Sequence, residues 1–102
     1  MNRLTAFFIA TLMALGTSLA QARDLNADEA RKLQDAGTIL SFEKLNAKAL
    51  AKHPGSTVTD TELEEEYGKY LYKVDLRDAK GVEWDLELDA VNGEVLKNHQ
   101  DT

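Results

Sequence analysis

Between residues 70 and 89, apolar and charged side chains alternate with a strict period of two. Tyr70, Tyr72, Val74 and Leu76 interleave with Leu71, Lys73, Asp75 and Arg77, and Val82, Trp84, Leu86 and Leu88 interleave with Glu83, Asp85, Glu87 and Asp89. Successive side chains of an extended backbone point to opposite faces, so the pattern predicts two neighbouring strands, each with one apolar and one charged side. The solvent side of the second strand carries only carboxylates. A sheet that displays such a row is wet on that side, which suits a binding surface better than a catalytic pocket.

Turn chemistry fixes the register. If Ala79-Lys80-Gly81 is a three-residue loop with Gly81 left-handed, Leu76 meets Trp84, Val74 meets Leu86, Arg77 meets Glu83 and Lys73 meets Glu87. If Tyr67-Gly68 is a two-residue loop, Leu63 meets Tyr72 and Glu62 meets Lys73. Both registers bury the same face. Upstream, Thr57, Thr59, Thr61 and Leu63 share a parity that Val58 breaks, so this strand either starts later or carries a bulge. Asn92-Gly93 marks a further turn before a short strand from Glu94 to Lys97, and residues 98–102 read as a flexible tail.

Two short helices precede the strands. Asn26 and Glu29 have capping-box spacing, Leu25 can staple on Ala30, and Ala27, Ala30, Leu33 and Ala36 share a face that Gly37 ends. Ser41 caps a second helix, with Leu40 against Leu45 and a stripe of Phe42, Leu45, Ala49 and Leu50, stopped by His53-Pro54-Gly55. The fold class expected is α+β: one or two N-terminal helices packed on one face of a small antiparallel sheet of three to four strands, in one domain over residues 23–97.

The chain start is read as a cleaved signal peptide over residues 1–22. Arg3 supplies a positive n-region, Leu4 to Leu15 an apolar stretch, and Ala20-Gln21-Ala22 the A-x-A site. A membrane span needs about 20 apolar residues, more than this stretch offers. The expected product is a periplasmic or secreted chain of 80 residues starting at Arg23, without stable membrane insertion. Loss of Arg3 lowers the basic count from 12 to 11 against 18 acidic residues, a net charge of −7. That sign disfavours nucleic acid as a partner. Cysteine is absent, so the domain must be held by packing of helix on sheet.

Catalytic chemistry finds no machinery in this sequence. A nucleophilic mechanism needs an oriented base, and the two histidines, His53 at a helix end and His99 in the tail, carry no motif. They also fall short of a zinc ligand set. Acids on an open sheet face lack the enclosed cleft that glycosidase chemistry requires. The registers do align Asp60, Asp75 and Asp85 across three strands, and opposed like charges destabilise a sheet unless compensated. Compensation comes either from calcium, which takes oxygen ligands, or from Lys73, Arg77 and solvent screening. Tyr70, Tyr72, Trp84 and Phe42 read as core. Tyr67, at a hairpin tip, is the candidate contact residue, together with Glu62, Lys73 and Glu87 on the charged face.

An ordered set of residues resembles the PepSY family of small exported or membrane-linked domains, which also occur in the propeptides of secreted metallopeptidases. The set comprises Gly37, Ile39-Leu40, His53-Pro54-Gly55, Glu62-Leu63-Glu64 with Gly68, Tyr70-Leu71-Tyr72-Lys73-Val74, Asp78, Gly81, Asp89-Ala90 and Gly93-Glu94-Val95-Leu96. The chain departs from the pattern at Tyr67-Gly68, where the family often has Asp-Gly, and at Lys73, where it often has Glu. The resemblance implies a non-catalytic module that binds or regulates an envelope protein such as a peptidase or a sensor protein. The alternative is a divalent-cation-binding envelope protein that uses the acidic face.

Overall fold

In the computed structural model, which describes residues 22–101, Asn26 starts the first helix through a reciprocal pair of bonds. Its Oδ1 accepts from the Glu29 N–H at 2.9 Å, and Glu29 Oε1 accepts from the Asn26 N–H at 3.1 Å. Two backbone donors that a helix N-terminus leaves open are thereby satisfied. Helix α1 (Ala27–Asp35) runs out at Gly37, whose φ of 75° lies in the left-handed region that favours glycine. Ser41 Oγ accepts from the Lys44 N–H at 3.2 Å and opens α2 (Phe42–Leu50). Gln34 ties the helices together: its Oε1 accepts from the Phe42 N–H at 2.8 Å, and its Nε2 donates to the Ala30 carbonyl at 3.2 Å. The leader read over residues 1–22 lies outside the described residues, apart from Ala22.

The sheet is antiparallel and follows chain order: β1 (Arg23–Asp24), β2 (Thr57–Glu66), β3 (Lys69–Arg77), β4 (Glu83–Asp89) and β5 (Val95–Asp101). Both central registers are those derived from the turns, with Leu63 opposite Tyr72, Val74 opposite Leu86 and Leu76 opposite Trp84. In the β2–β3 hairpin, Tyr67 at φ 49° and Gly68 at φ 80° are both left-handed, as a two-residue loop requires. The parity conflict at Val58 resolves as a bulge. Val58 pairs with Leu76 and Asp60 with Asp75, so Thr59 is the extra residue, and its Oγ1 donates to the Asp75 carbonyl at 3.2 Å.

The sheet has five strands, more than the three to four expected from sequence. Two residues of β1 pair Arg23 with Glu65 and Asp24 with Glu64, and the Leu25 N–H donates to the Leu63 carbonyl at 2.9 Å. Strand β5 also runs past Lys97, through residues read as tail, because Asn98, His99 and Gln100 pair with Leu86, Asp85 and Trp84. From Lys97 onward its side chains are polar and exposed, and the backbone carries the pairing there.

Helix α2 lies on the face formed by Leu63, Tyr72, Val74, Leu76, Leu86 and Leu88, with Leu45 and Ala49 fully buried against it. Phe42 meets Tyr72 with ring centroids 4.7 Å apart and planes tilted by 45°, and the Tyr72 hydroxyl donates to Asn46 Oδ1 at 2.7 Å. The loop between the helices is fastened to the end of β4 by the Leu40 N–H, which donates to the Ala90 carbonyl at 2.8 Å. Both helices therefore stack on one side, and the other side of the sheet carries mostly charged residues, with Leu71 buried among them between Glu64 and Asp89.

Candidate functional site: the charged face of the sheet

Cross-strand pairing arranges the outer face into rows. One row runs Glu62, Lys73, Glu87 and Lys97, alternating in sign, and another brings Arg77, Glu83 and Asp101 together. Between them lies Asp60, Asp75, Asp85 and His99, three carboxylates side by side followed by an imidazole. The face is hollowed into a trough of about 350 Å³ lined by Asp60, Glu62, Lys73, Asp75, Glu87 and Lys97, among others. Of the contact residues expected from sequence, Glu62, Lys73 and Glu87 are therefore neighbours in one row. Tyr67 is exposed at the β2–β3 tip, away from that row.

The ion pairs on this face are partly diagonal. Lys73 Nζ lies 3.2 Å from Glu64, not from its direct partner Glu62, while Lys97 reaches Glu87 at 3.8 Å and Arg77 reaches Glu83 at 2.8 Å. No cation of these three contacts the aspartate row. Burial pushes the Asp75 carboxyl up to about 6, reinforced by a hydrogen bond with Asp85 and by the charges of Asp85, Asp60 and Asp101. Below about pH 6 a proton held on Asp75 relieves the row.

Among the described residues, the set of three carboxylates whose oxygens approach within 4.8 Å is Asp24, Glu62 and Glu64, and not Asp60, Asp75 and Asp85. Hydrogen bonding to Asp24, followed by partial burial, pushes Glu62 up as well. Sequence reasoning missed Asp24 because a two-residue strand has no periodicity to read. Sequence reasoning also missed the surroundings of both histidines. His53 stacks on Trp84 at 4.1 Å and donates from Nε2 to Asn98 Oδ1 at 2.7 Å, which anchors the end of α2 to β5. His99 extends the aspartate row.

A pH dependence follows with a definite sign. Asp75 binds its proton more tightly folded, near 6, than at its ordinary value of 3.8, so stability contributed here is present at low pH and is lost as pH rises through 6. Screening on a wet face limits the effect to about 1 kcal/mol. Urea denaturation should show greater stability at pH 5 than at pH 7.5. The variant Asp75→Asn should be the more stable protein at pH 7.5 and should flatten that difference. Equal pH profiles in parent and variant would remove Asp75 as the cause.

Residues 39–99 match the family model described as the peptidase propeptide and YPEB domain, PepSY, which spans more than half of the chain. The chain belongs to the PepSY family. It is also 30% identical over 70 residues to the uncharacterized protein YkoJ of Bacillus subtilis (strain 168). That alignment covers 68% of this chain and 41% of YkoJ, so the chain spans about two fifths of that relative's length. No solved structure matches it. In this PepSY domain the matched segment runs from the loop between the helices into β5, so it contains the whole charged face except Asp24 and Asp101. Among the described residues, no helix is long and apolar enough to cross a membrane.

Proposed function

We propose that this chain is an exported, non-catalytic PepSY module that binds and modulates another envelope protein, with a peptidase as the leading class of partner. One observation carries the reading: both helices pack on the same side of the sheet, so that among the described residues the opposite side presents an ordered array of Glu62, Lys73 and Glu87, with Tyr67 exposed separately at the β2–β3 tip. The alternating row can match a partner's charges pairwise and confer specificity. An exposed tyrosine supplies contact area at low entropic cost. Family membership supports the propeptide-like role. The imidazole of His53 is occupied by Trp84 and Asn98, which supports a structural part for it.

The address in this reading is the envelope, reached through a leader cleaved after Ala22. The test is crosslinking in the native envelope from photoreactive residues at Tyr67 on the hairpin tip and Glu87 on the charged side, with Lys32 on α1 as control. Adducts with a peptidase or a sensor protein from the first two positions but not from Lys32 are expected, on a product whose mass begins at Arg23. Tyr67→Ala should weaken capture about tenfold, the effect of 1.4 kcal/mol, without shifting the unfolding midpoint. Adducts confined to Lys32, or a retained leader, would refute the reading.

A further inference from the structure

Strand β5 closes the sheet on one side, and its pairing pattern determines which of its backbone groups remain open. In an antiparallel ladder, hydrogen-bonded and non-bonded pairs alternate. The Ala90 N–H donates to the Tyr70 carbonyl and the Asp89 N–H to the Glu94 carbonyl, so in β4 the even positions bond to β3 and the odd positions bond toward β5. The odd residues of β5, Lys97, His99 and Asp101, oppose Glu87, Asp85 and Glu83 and use their backbone groups there. Asn98 and Gln100 therefore direct their N–H and C=O groups away from the sheet, on a strand whose residues from Leu96 to Asp101 are all exposed.

An open edge of this kind is a template for another strand. Its side-chain sequence then selects among partners, and Lys97 and Asp101 carry opposite charges at equal distances on either side of His99. We propose that two copies of this chain associate edge to edge through antiparallel pairing of their β5 strands about a two-fold axis at His99, forming one continuous sheet.

In this register Asn98 of each copy forms a hydrogen-bonded pair with the other copy's residue 100, as the outward backbone groups require. Lys97 of each copy falls opposite the other copy's residue 101 in a non-bonded pair, where side chains approach most closely. Two symmetric ion pairs result. Shifting the register by two residues toward the start of β5 opposes Lys97 to His99 and loses both ion pairs, so charge complementarity selects the register about His99. The two-fold axis stands perpendicular to the sheet, so the helices of both copies share one side and the charged faces share the other. The proposal does not rest on the partner-binding role proposed above, which uses Glu62, Lys73, Glu87 and the Tyr67 tip, whereas the pairing uses the open backbone edge of β5 with Lys97 and Asp101.

The interface is small, so a dimer with Kd on the order of 100 µM is expected. Sedimentation equilibrium of protein purified from cells expressing the full chain reads it directly. Lys97→Asp and Asp101→Lys, each alone, should weaken association at least tenfold. An equimolar mixture of the two should dimerise again, because each acid at 97 then faces a lysine at 101, and the double variant should dimerise as the parent does. Gln100→Pro removes an outward N–H without removing a bond to β4, and should give a monomer with the parent's circular dichroism spectrum. A parent that stays monomeric to 1 mM would overturn the proposal, as would a dimer that survives Gln100→Pro. Failure of the two single variants to associate when mixed would also overturn it.

Discussion

Replacing Tyr72 by alanine is expected to cost about 3–5 kcal/mol of unfolding free energy, a large part of what a domain of this size possesses. Tyr72 is fully buried at the centre of the sheet, between Leu63 and Leu88 in register and beneath Phe42. Removing it leaves a cavity that strands fixed on both sides cannot collapse to fill. The hydroxyl adds a separable share. It donates to Asn46 Oδ1 at 2.7 Å, and burial pushes its pKa up, which keeps it a donor across the neutral range. Tyr72→Phe retains the packing and leaves Asn46 Oδ1 without this donor, for about 1 kcal/mol. Urea midpoints of the two variants separate the contributions. An alanine variant within about 1 kcal/mol of the parent would mean that the helices do not cover this side of the sheet.

The central hairpins were legible because two independent signals agreed. Gly81 and Tyr67-Gly68 each set a register by turn geometry, and both registers placed Tyr72, Val74, Leu76, Leu86 and Leu88 on one side. The helix starts were legible for a similar reason, since Asn26 with Glu29 and Ser41 offer side-chain acceptors directly before an apolar stripe. The strands at the two ends of the sheet had no such support. Arg23 and Asp24 are too few for a period, and beyond Leu96 β5 is polar on both sides, with no apolar alternation to mark it as a strand. Reading residues 98–102 as tail separated Asn98 from His53 and His99 from Asp85.

The candidate site was legible in the same uneven way. The aspartate row followed from register, and the alignment of Asp60, Asp75 and Asp85 is what the structure places on the outer face. Which cation answers which acid could not be read from pairing alone. Lys73 turns diagonally to Glu64, drawn to a carboxylate already crowded by Asp24 and Glu62. The aspartate row therefore keeps its excess charge, and Asp75 answers by holding its proton longer.

Trp84→Ala is expected to cost about 2–4 kcal/mol, below the full value for a buried tryptophan because the ring is only partly enclosed. The ring does more than fill space. It opposes Leu76 on the apolar side, carries the His53 imidazole at 4.1 Å with planes 26° apart, and donates from Nε1 to Asp78 Oδ2 at 3.1 Å. Asp78 Oδ1 accepts from the Lys80 and Val82 N–H groups at 2.9 Å each, so the same carboxylate organises the β3–β4 turn. The bond from Trp84 and those from the turn backbone hold the Asp78 carboxyl below its ordinary range, and the stability it contributes is lost as pH falls through that lowered value. Trp84 thus joins the end of α2, the β3–β4 turn and, through His53 and Asn98, strand β5. His53→Ala should cost about 1 kcal/mol by itself through loss of stacking and of the bond to Asn98. In the double variant the two costs should fall short of their sum by about 0.5–1.5 kcal/mol, since the stack can be lost only once. Unfolding followed by circular dichroism is the measurement, because Trp84→Ala removes the chain's single tryptophan. Costs that add to within about 0.3 kcal/mol would show that the imidazole and the indole act separately and that the stack does not couple Trp84 to β5.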